Sequence, residues 1–218
     1  MTQTAGPGLN KDGCAAALTR PARQAHLAVL AAFAETGRPP ARGELERIAR
    51  ARGADTGAVL AELAERDVIA FDADGEIRAA YPFSPAPTPI QVSWEGGPVT
   101  YAMCAIDALG ISAMLGRSVT ITAAEPGTGH TITVRADRDQ ARWDPADAVV
   151  FAGTTAADCC HAADRTCGYI NFFTSARAVR AWARANRAVT GEVLSQSRAL
   201  RAGVAEFGAF MRPGNGTG

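Results

Sequence analysis

No run in this chain approaches the roughly 18 apolar residues that a membrane span needs, and no apolar stretch follows a basic start in the first 25 residues. Neither a membrane protein nor a secreted one is the reading, and a cytoplasmic location is expected. Net charge is also missing, because 22 Lys and Arg balance 22 Asp and Glu. No whole-chain field therefore points to nucleic acid or an anionic membrane as a partner. An even cysteine set is absent too: Cys14, Cys104, Cys159, Cys160 and Cys167 are five. In a chain read as cytoplasmic they are reduced thiols, candidates for metal binding or catalysis, rather than a disulfide framework. What remains is ordinary for a globular protein, 218 residues of which 47% are hydrophobic, enough to bury a core.

Residues 1–19 are Gly-, Thr- and Pro-containing with weak periodicity and are expected to form a mobile arm, with Cys14 an incidental exposed thiol in it. Apolar residues then recur at helical spacing from Pro21 to Glu35. A second helix is predicted over Ala41–Ala51, and a third, N-capped by Asp55, reaches Arg66. The period changes at Val68–Phe71 and Ile77–Tyr81, which read as a hairpin around Asp72-Ala73-Asp74-Gly75-Glu76. Three helices and a two-stranded wing over residues 20–81 give a winged-helix-like outline. Charge argues against its use on nucleic acid: residues 1–90 hold ten basic and eleven acidic residues, and the third helix sets only Arg66 against Glu62 and Glu65. A structural or dimerising role is expected for this unit.

Prolines at 82, 85, 87 and 89 predict an extended linker over 82–89 and a domain boundary there. An α+β domain is expected from 90 to 212, a mixed or antiparallel sheet packed with helices. Its predicted strands are Ile90–Trp94, Val119–Thr122, Thr131–Val134, Ala148–Phe151 and Tyr169–Phe173. Helices are predicted from Val99–Tyr101 to Leu115, from a cap at Ser175 through Val179, Trp182 and Ala183, and over Ser197–Met211. Residues 213–218 form a Gly-rich tail expected to be disordered.

Within the first of these helices, Tyr101-Ala102-Met103-Cys104-Ala105-Ile106-Asp107-Ala108-Leu109 places a thiol and a carboxylate three residues apart. Residues at i and i+3 share a helix face, so both can reach one bound atom. A buried cysteine is commonly a small hydrophobe, but a carboxylate among Ala, Ile and Leu is costly without a partner or a task. Near a helix N-terminus, free backbone N–H groups favour the Cys104 thiolate.

Cys159, Cys160, His161 and Cys167 form a second cluster within nine residues. Adjacent cysteines suit a tetrahedral zinc ion poorly, since paired ligands in such sites are two to four residues apart. A thiol from this cluster joined to Cys104 and Asp107 would instead make a two-sulfur site for a soft metal centre. Cys167 is the best placed, just before a predicted strand, with Cys159, Cys160 and His161 as lesser candidates for metal binding.

Two motifs in order, Tyr101-Ala102-x-Cys104-Ala105-x-Asp107-x-Leu109 and a cysteine five residues before Phe172-Phe173, resemble the organomercurial (alkylmercury) lyase family. The likeness spans most of residues 20–212. It implies cleavage of a carbon–mercury bond by protonation to a hydrocarbon and Hg(II). In that scheme Cys104 binds mercury first, Cys167 is the second sulfur, and Asp107 brings the proton to the leaving carbon. It further implies no organic cofactor, removal of the product ion by small thiols, and two kinds of partner, an organomercurial small molecule and a mercuric-ion acceptor protein. Glu125 stands where some members of the family carry a further cysteine read as structural. The Cys159-Cys160-His161 string has no place in the family pattern. Two other functions fit the same residues, a non-catalytic thiol-based soft-metal binder or sensor and a same-fold enzyme with a non-mercurial substrate.

Overall fold

A computed structural model describes residues 10–50, 54–155 and 167–211. Its first element, α1 (Lys11–Ala16), lies inside the stretch expected to be a mobile arm. It is held from outside: the Glu206 carboxylate accepts the backbone N–H groups of Asn10 at 3.1 Å and Lys11 at 2.5 Å. The Lys11 ammonium, 1% exposed, bonds the Asp67 carboxylate at 2.6 Å and lies 3.7 Å from the Tyr81 ring centroid. Residues 10–19 are thus pinned to the body, and Cys14 is half-buried against the core rather than an exposed thiol. A buried cation with an aspartate and an aromatic face leaves no periodic signature, which is why a weakly patterned sequence conceals it.

The three expected helices follow as α2 (Arg20–Thr36), α3 (Arg42–Arg50) and α4 (Thr56–Glu65). Pro21 sits in the first turn of α2, and Gly37 closes that helix at φ 75°, a conformation glycine adopts freely. Asp55 caps α4 by accepting the Ala58 N–H at 2.8 Å. The hairpin β1 (Ile69–Phe71) and β2 (Ile77–Ala80) comes next, its turn braced by Asp72, whose Oδ1 accepts the N–H groups of Asp74 and Glu76. The order of helices and hairpin is therefore the one the sequence predicts.

The proline-rich stretch does more than link. Phe83 and Ser84, flanked by prolines but with free N–H groups of their own, form β3, which pairs with β2 on one side and β5 (Thr100–Ala102) on the other. The hairpin and the later strands β4 (Ile90–Ser93), β6 (Val119–Ala124), β7 (Thr131–Asp137) and β8 (Gln140–Asp144) consequently share one antiparallel sheet, in the order β1-β2-β3-β5-β4-β6-β7-β8. Phe33 of α2 stacks on Phe83 with ring centroids 5.0 Å apart, tying the front helices to this sheet. A second, three-stranded sheet has β9 (Val149–Thr155) between β10 (Ile170–Phe173) and β11 (Val189–Leu194). With α6 (Ala176–Ala185) and α7 (Gln196–Phe207) the class is α+β, as expected.

Between the large sheet and α7 runs α5 (Ala105–Leu115), buried without a break from Ala105 to Ser112. Two glycines let its backbone touch α7: a Cβ on Gly110 would meet the Gly203 carbonyl oxygen at 2.5 Å, and one on Gly203 would meet the Ile106 oxygen at 2.7 Å. A helix apolar on every face is stable only when covered on every face. Its start differs from the expectation: Thr100–Ala102, with β-favouring Thr and Tyr paired to neighbours on both sides, is strand, and the helix begins only after Cys104. Strands β8 and β11, polar and largely exposed, lie where the sequence pattern predicts no element.

Candidate active site

Cys104 sits at the junction of β5 and α5 as the helix N-cap, with extended φ and ψ of −156° and 179°. Its sulfur accepts the backbone N–H of Asp107 at 3.5 Å, as a serine hydroxyl would. The junction is anchored from behind, since Met103 N–H donates to the Pro82 carbonyl at 3.1 Å and Thr88 Oγ1 donates to the Ala102 carbonyl at 2.9 Å. One turn into α5, Asp107 points its carboxyl back to the same side. Cys167 arrives from the other sheet, in a single 3₁₀ turn, Cys167–Tyr169, that feeds β10. Its sulfur lies 4.0 Å from Asp107 Oδ2. The two sulfurs and a carboxyl oxygen fall within 4.8 Å of one another. Cys159, Cys160 and His161 lie outside the described residues.

The site is dry. Cys104 and Asp107 are 0% exposed and Cys167 is 2% exposed. Asp107 Oδ1 has no hydrogen-bond partner among the described residues, an expensive state for a buried carboxyl oxygen unless it is kept for a task. Burial pushes the Asp107 carboxyl up, to about 7, against the lowering pull of its contact with Cys104 and of the Lys11 charge; Glu206 adds to the rise. Near neutrality this carboxyl can both hold and release a proton. The Cys104 thiol is also pushed well above its usual value, by burial first and then by Cys167 and the Asp107 charge. The expected thiolate is therefore corrected: one N–H contact at a helix end does not offset complete burial beside a carboxylate and a second sulfur.

Lys11 and Glu206, neither singled out in the sequence, bring their charges to bear on Asp107 from α1 and α7. Only the folded chain puts them there, and no local pattern around either residue signals it. Glu125 is a further buried carboxylate, at 4% exposure, in the turn between β6 and β7.

Two soft sulfurs and one oxygen at this spacing define a thiol-based site suited to a thiophilic centre of low coordination number, with an acid beside it. The family model described as alkylmercury lyase, MerB, matches residues 83–208, more than half of the chain, and the chain belongs to that family. It is also similar to a solved structure described as the mercury-bound form of MerB2, at 25% identity and a TM-score of 0.73, over 93% of this chain and 97% of that one. No match was found among curated protein sequences. Among the described residues, no helix is long and apolar enough to cross a membrane.

Proposed function

We propose that this alkylmercury lyase cleaves the carbon–mercury bond by protonolysis, with Cys104 and Cys167 as the mercury-binding sulfurs and Asp107 as the proton carrier. The observation that carries the reading is the placement of Asp107 Oδ2 4.0 Å from the Cys167 sulfur, in a triad whose three donor atoms lie within 4.8 Å. The relative described as mercury-bound supports the choice of metal.

The steps balance with the chain's own groups. An organomercurial arrives as R–Hg–X, with X a small thiolate. The Cys104 sulfur bonds mercury, and its proton leaves with X as a free thiol. The Cys167 sulfur then bonds the same mercury, and its proton passes to the Asp107 carboxylate. Two sulfur donors enrich the mercury-bound carbon, and Asp107 delivers the proton to it, releasing R–H and leaving Hg(II) on two thiolates. Burial serves the last step, because an acid with a pKa near 7 in a water-poor site transfers its proton to carbon without competition from solvent. Small thiols, or a mercuric-ion acceptor protein, then take Hg(II) by thiol exchange. No organic cofactor enters.

The test is release of benzene and Hg(II) from phenylmercury by the purified, reduced protein with excess small thiol, beside Cys104→Ser and Cys167→Ser. Benzene from the wild type and none from either variant is expected. Tight mercury binding without benzene from the wild type would leave a thiol-based metal binder instead.

A further inference from the structure

The triad is assembled across two sheets. Cys104 and Asp107 belong to the β5–α5 junction of the large sheet, whereas Cys167 leads into β10 of the small one. Whatever fixes one sheet against the other fixes the distance between the sulfurs. Part of that tie is apolar, the edge-on packing of Trp143 of β8 against Phe172 of β10 at 5.6 Å between centroids. Another part is polar and lies away from the triad. Glu125 reaches from the β6–β7 turn to the residue that follows β10, where its Oε2 accepts the Thr174 N–H at 2.6 Å and the Thr174 hydroxyl at 2.7 Å.

The carboxylate is held ready for this contact by its own turn. Thr128 Oγ1 donates to Glu125 Oε1 at 2.7 Å, and the turn is closed by Glu125 N–H to the His130 carbonyl at 2.8 Å and Gly129 N–H to the Glu125 carbonyl at 2.9 Å. Exposed His130 has its Nδ1 3.8 Å from Oε1. On the other side, β10 is paired residue by residue to β9, from Ile170 opposite Ala152 to Phe173 opposite Val149. The 3₁₀ turn that carries Cys167 and the residue Thr174 held by Glu125 thus bracket this one paired strand. Burial pushes the Glu125 carboxyl up, but the Thr174 and Thr128 hydrogen bonds outweigh it and hold the group below its usual range, so it is a full anion in the tie.

We propose that Glu125 is a positioning residue for the lyase reaction, acting through Thr174 and β10 to hold the Cys167 sulfur within closing distance of the mercury on Cys104. The inference rests on the reading of Cys104 and Cys167 as the mercury pair. First capture by Cys104 does not depend on it; closure by the second sulfur does.

The experiment uses the full chain with Glu125→Ala, Glu125→Gln and Thr174→Val, each first shown folded at the assay temperature by circular dichroism. Phenylmercury kinetics are measured, together with Hg(II) affinity in competition with dithiothreitol, followed by the mercury–thiolate absorbance. For Glu125→Ala, kcat is expected to fall on the order of 10- to 100-fold, the scale of a displacement of about 1 Å, with KM little changed and Hg(II) held more weakly. Glu125→Gln, which still offers an acceptor to the Thr174 N–H, recovers part of both. Thr174→Val removes only the hydroxyl contact and gives a smaller loss of the same kind, so it carries the test if Glu125→Ala does not fold. A folded Glu125→Ala protein with wild-type kcat and Hg(II) affinity overturns the proposal, as does a loss that vanishes on cooling in step with restored folded fraction. Were the wild type to release no benzene, the lyase reading would fail by itself, and the Hg(II) affinities would still decide whether Glu125 sets the sulfur pair.

Discussion

The Cys104 sulfur accepts the backbone N–H of Asp107 at 3.5 Å, so the residue proposed to capture mercury is also the cap of the helix that carries the proposed acid. A serine in its place keeps the cap and loses the soft ligand. Cys104→Ser is expected to leave unfolding stability within about 0.5 kcal/mol of wild type, since serine is a strong N-cap residue, while abolishing turnover. Urea unfolding and phenylmercury kinetics on the same preparation check both halves.

The approach of α5 to α7 should tolerate no added methyl. Gly203→Ala places a Cβ 2.7 Å from the Ile106 carbonyl and 2.8 Å from the Gly110 nitrogen, both backbone atoms that cannot swing aside. A destabilisation of about 1–3 kcal/mol is expected, read as a lower urea midpoint at unchanged slope. Turnover should also drop, because the displaced turn is the one that presents Asp107. Gly43→Ala, with nothing within 4 Å of the new atom, is the control.

His26 makes stability fall with acid. It is 0% exposed, its Nε2 has no partner among the described residues, and its ring packs edge-on to Phe210 at 5.3 Å. Burial first and the Arg23 charge second lower its pKa to about 3. An unfolded histidine titrates near 6.5. Between those values the unfolded chain binds the extra proton, so this contribution is complete above about pH 6.5 and declines by up to about 1.4 kcal/mol per pH unit below it. Asp107 and Glu206, both raised, act in the opposite sense, stabilising in acid and losing that effect as pH rises through their folded values. The difference between wild type and His26→Phe, measured by urea unfolding from pH 7 to pH 4, isolates the histidine: the wild type should lose stability relative to the variant as pH falls. Parallel curves would contradict it.

If Cys167 is the second sulfur beside Cys104 and Asp107, as proposed, cleavage does not need the adjacent pair Cys159 and Cys160. The Cys159/Cys160 double serine variant is expected to release benzene at the wild-type rate. Its failure to do so, with Cys167→Ser still active, would transfer the second-sulfur role to that pair.

Much of this was legible in the chain. Helical spacing placed α2, α3 and α4, turn residues placed the β1–β2 hairpin, and the three-residue interval put Cys104 and Asp107 on one side of α5. Cys167 was marked by its place before a strand. Long-range relationships were not legible. The burial of Lys11 depends on Asp67, Tyr81 and Glu206, which are far apart in sequence. The contact from Glu125 to Thr174 spans 49 residues. The start of α5 is not legible either, because strand pairing to β3 and β4, a tertiary effect, decides the conformation of Thr100–Ala102. The rise in the Cys104 pKa is illegible for a similar reason: the helix end is local, while the burial and the second sulfur that outweigh it come from the rest of the fold.

The most direct measurement is single-turnover cleavage of phenylmercury by Asp107→Asn beside the wild type, with mercury stoichiometry measured on both. Asparagine keeps the size and the helix cap but carries no transferable acidic proton. The variant is expected to bind phenylmercury one to one and to release benzene on the order of 100- to 10,000-fold more slowly, the span a positioned general acid supplies. Benzene release at the wild-type rate from Asp107→Asn would contradict the account.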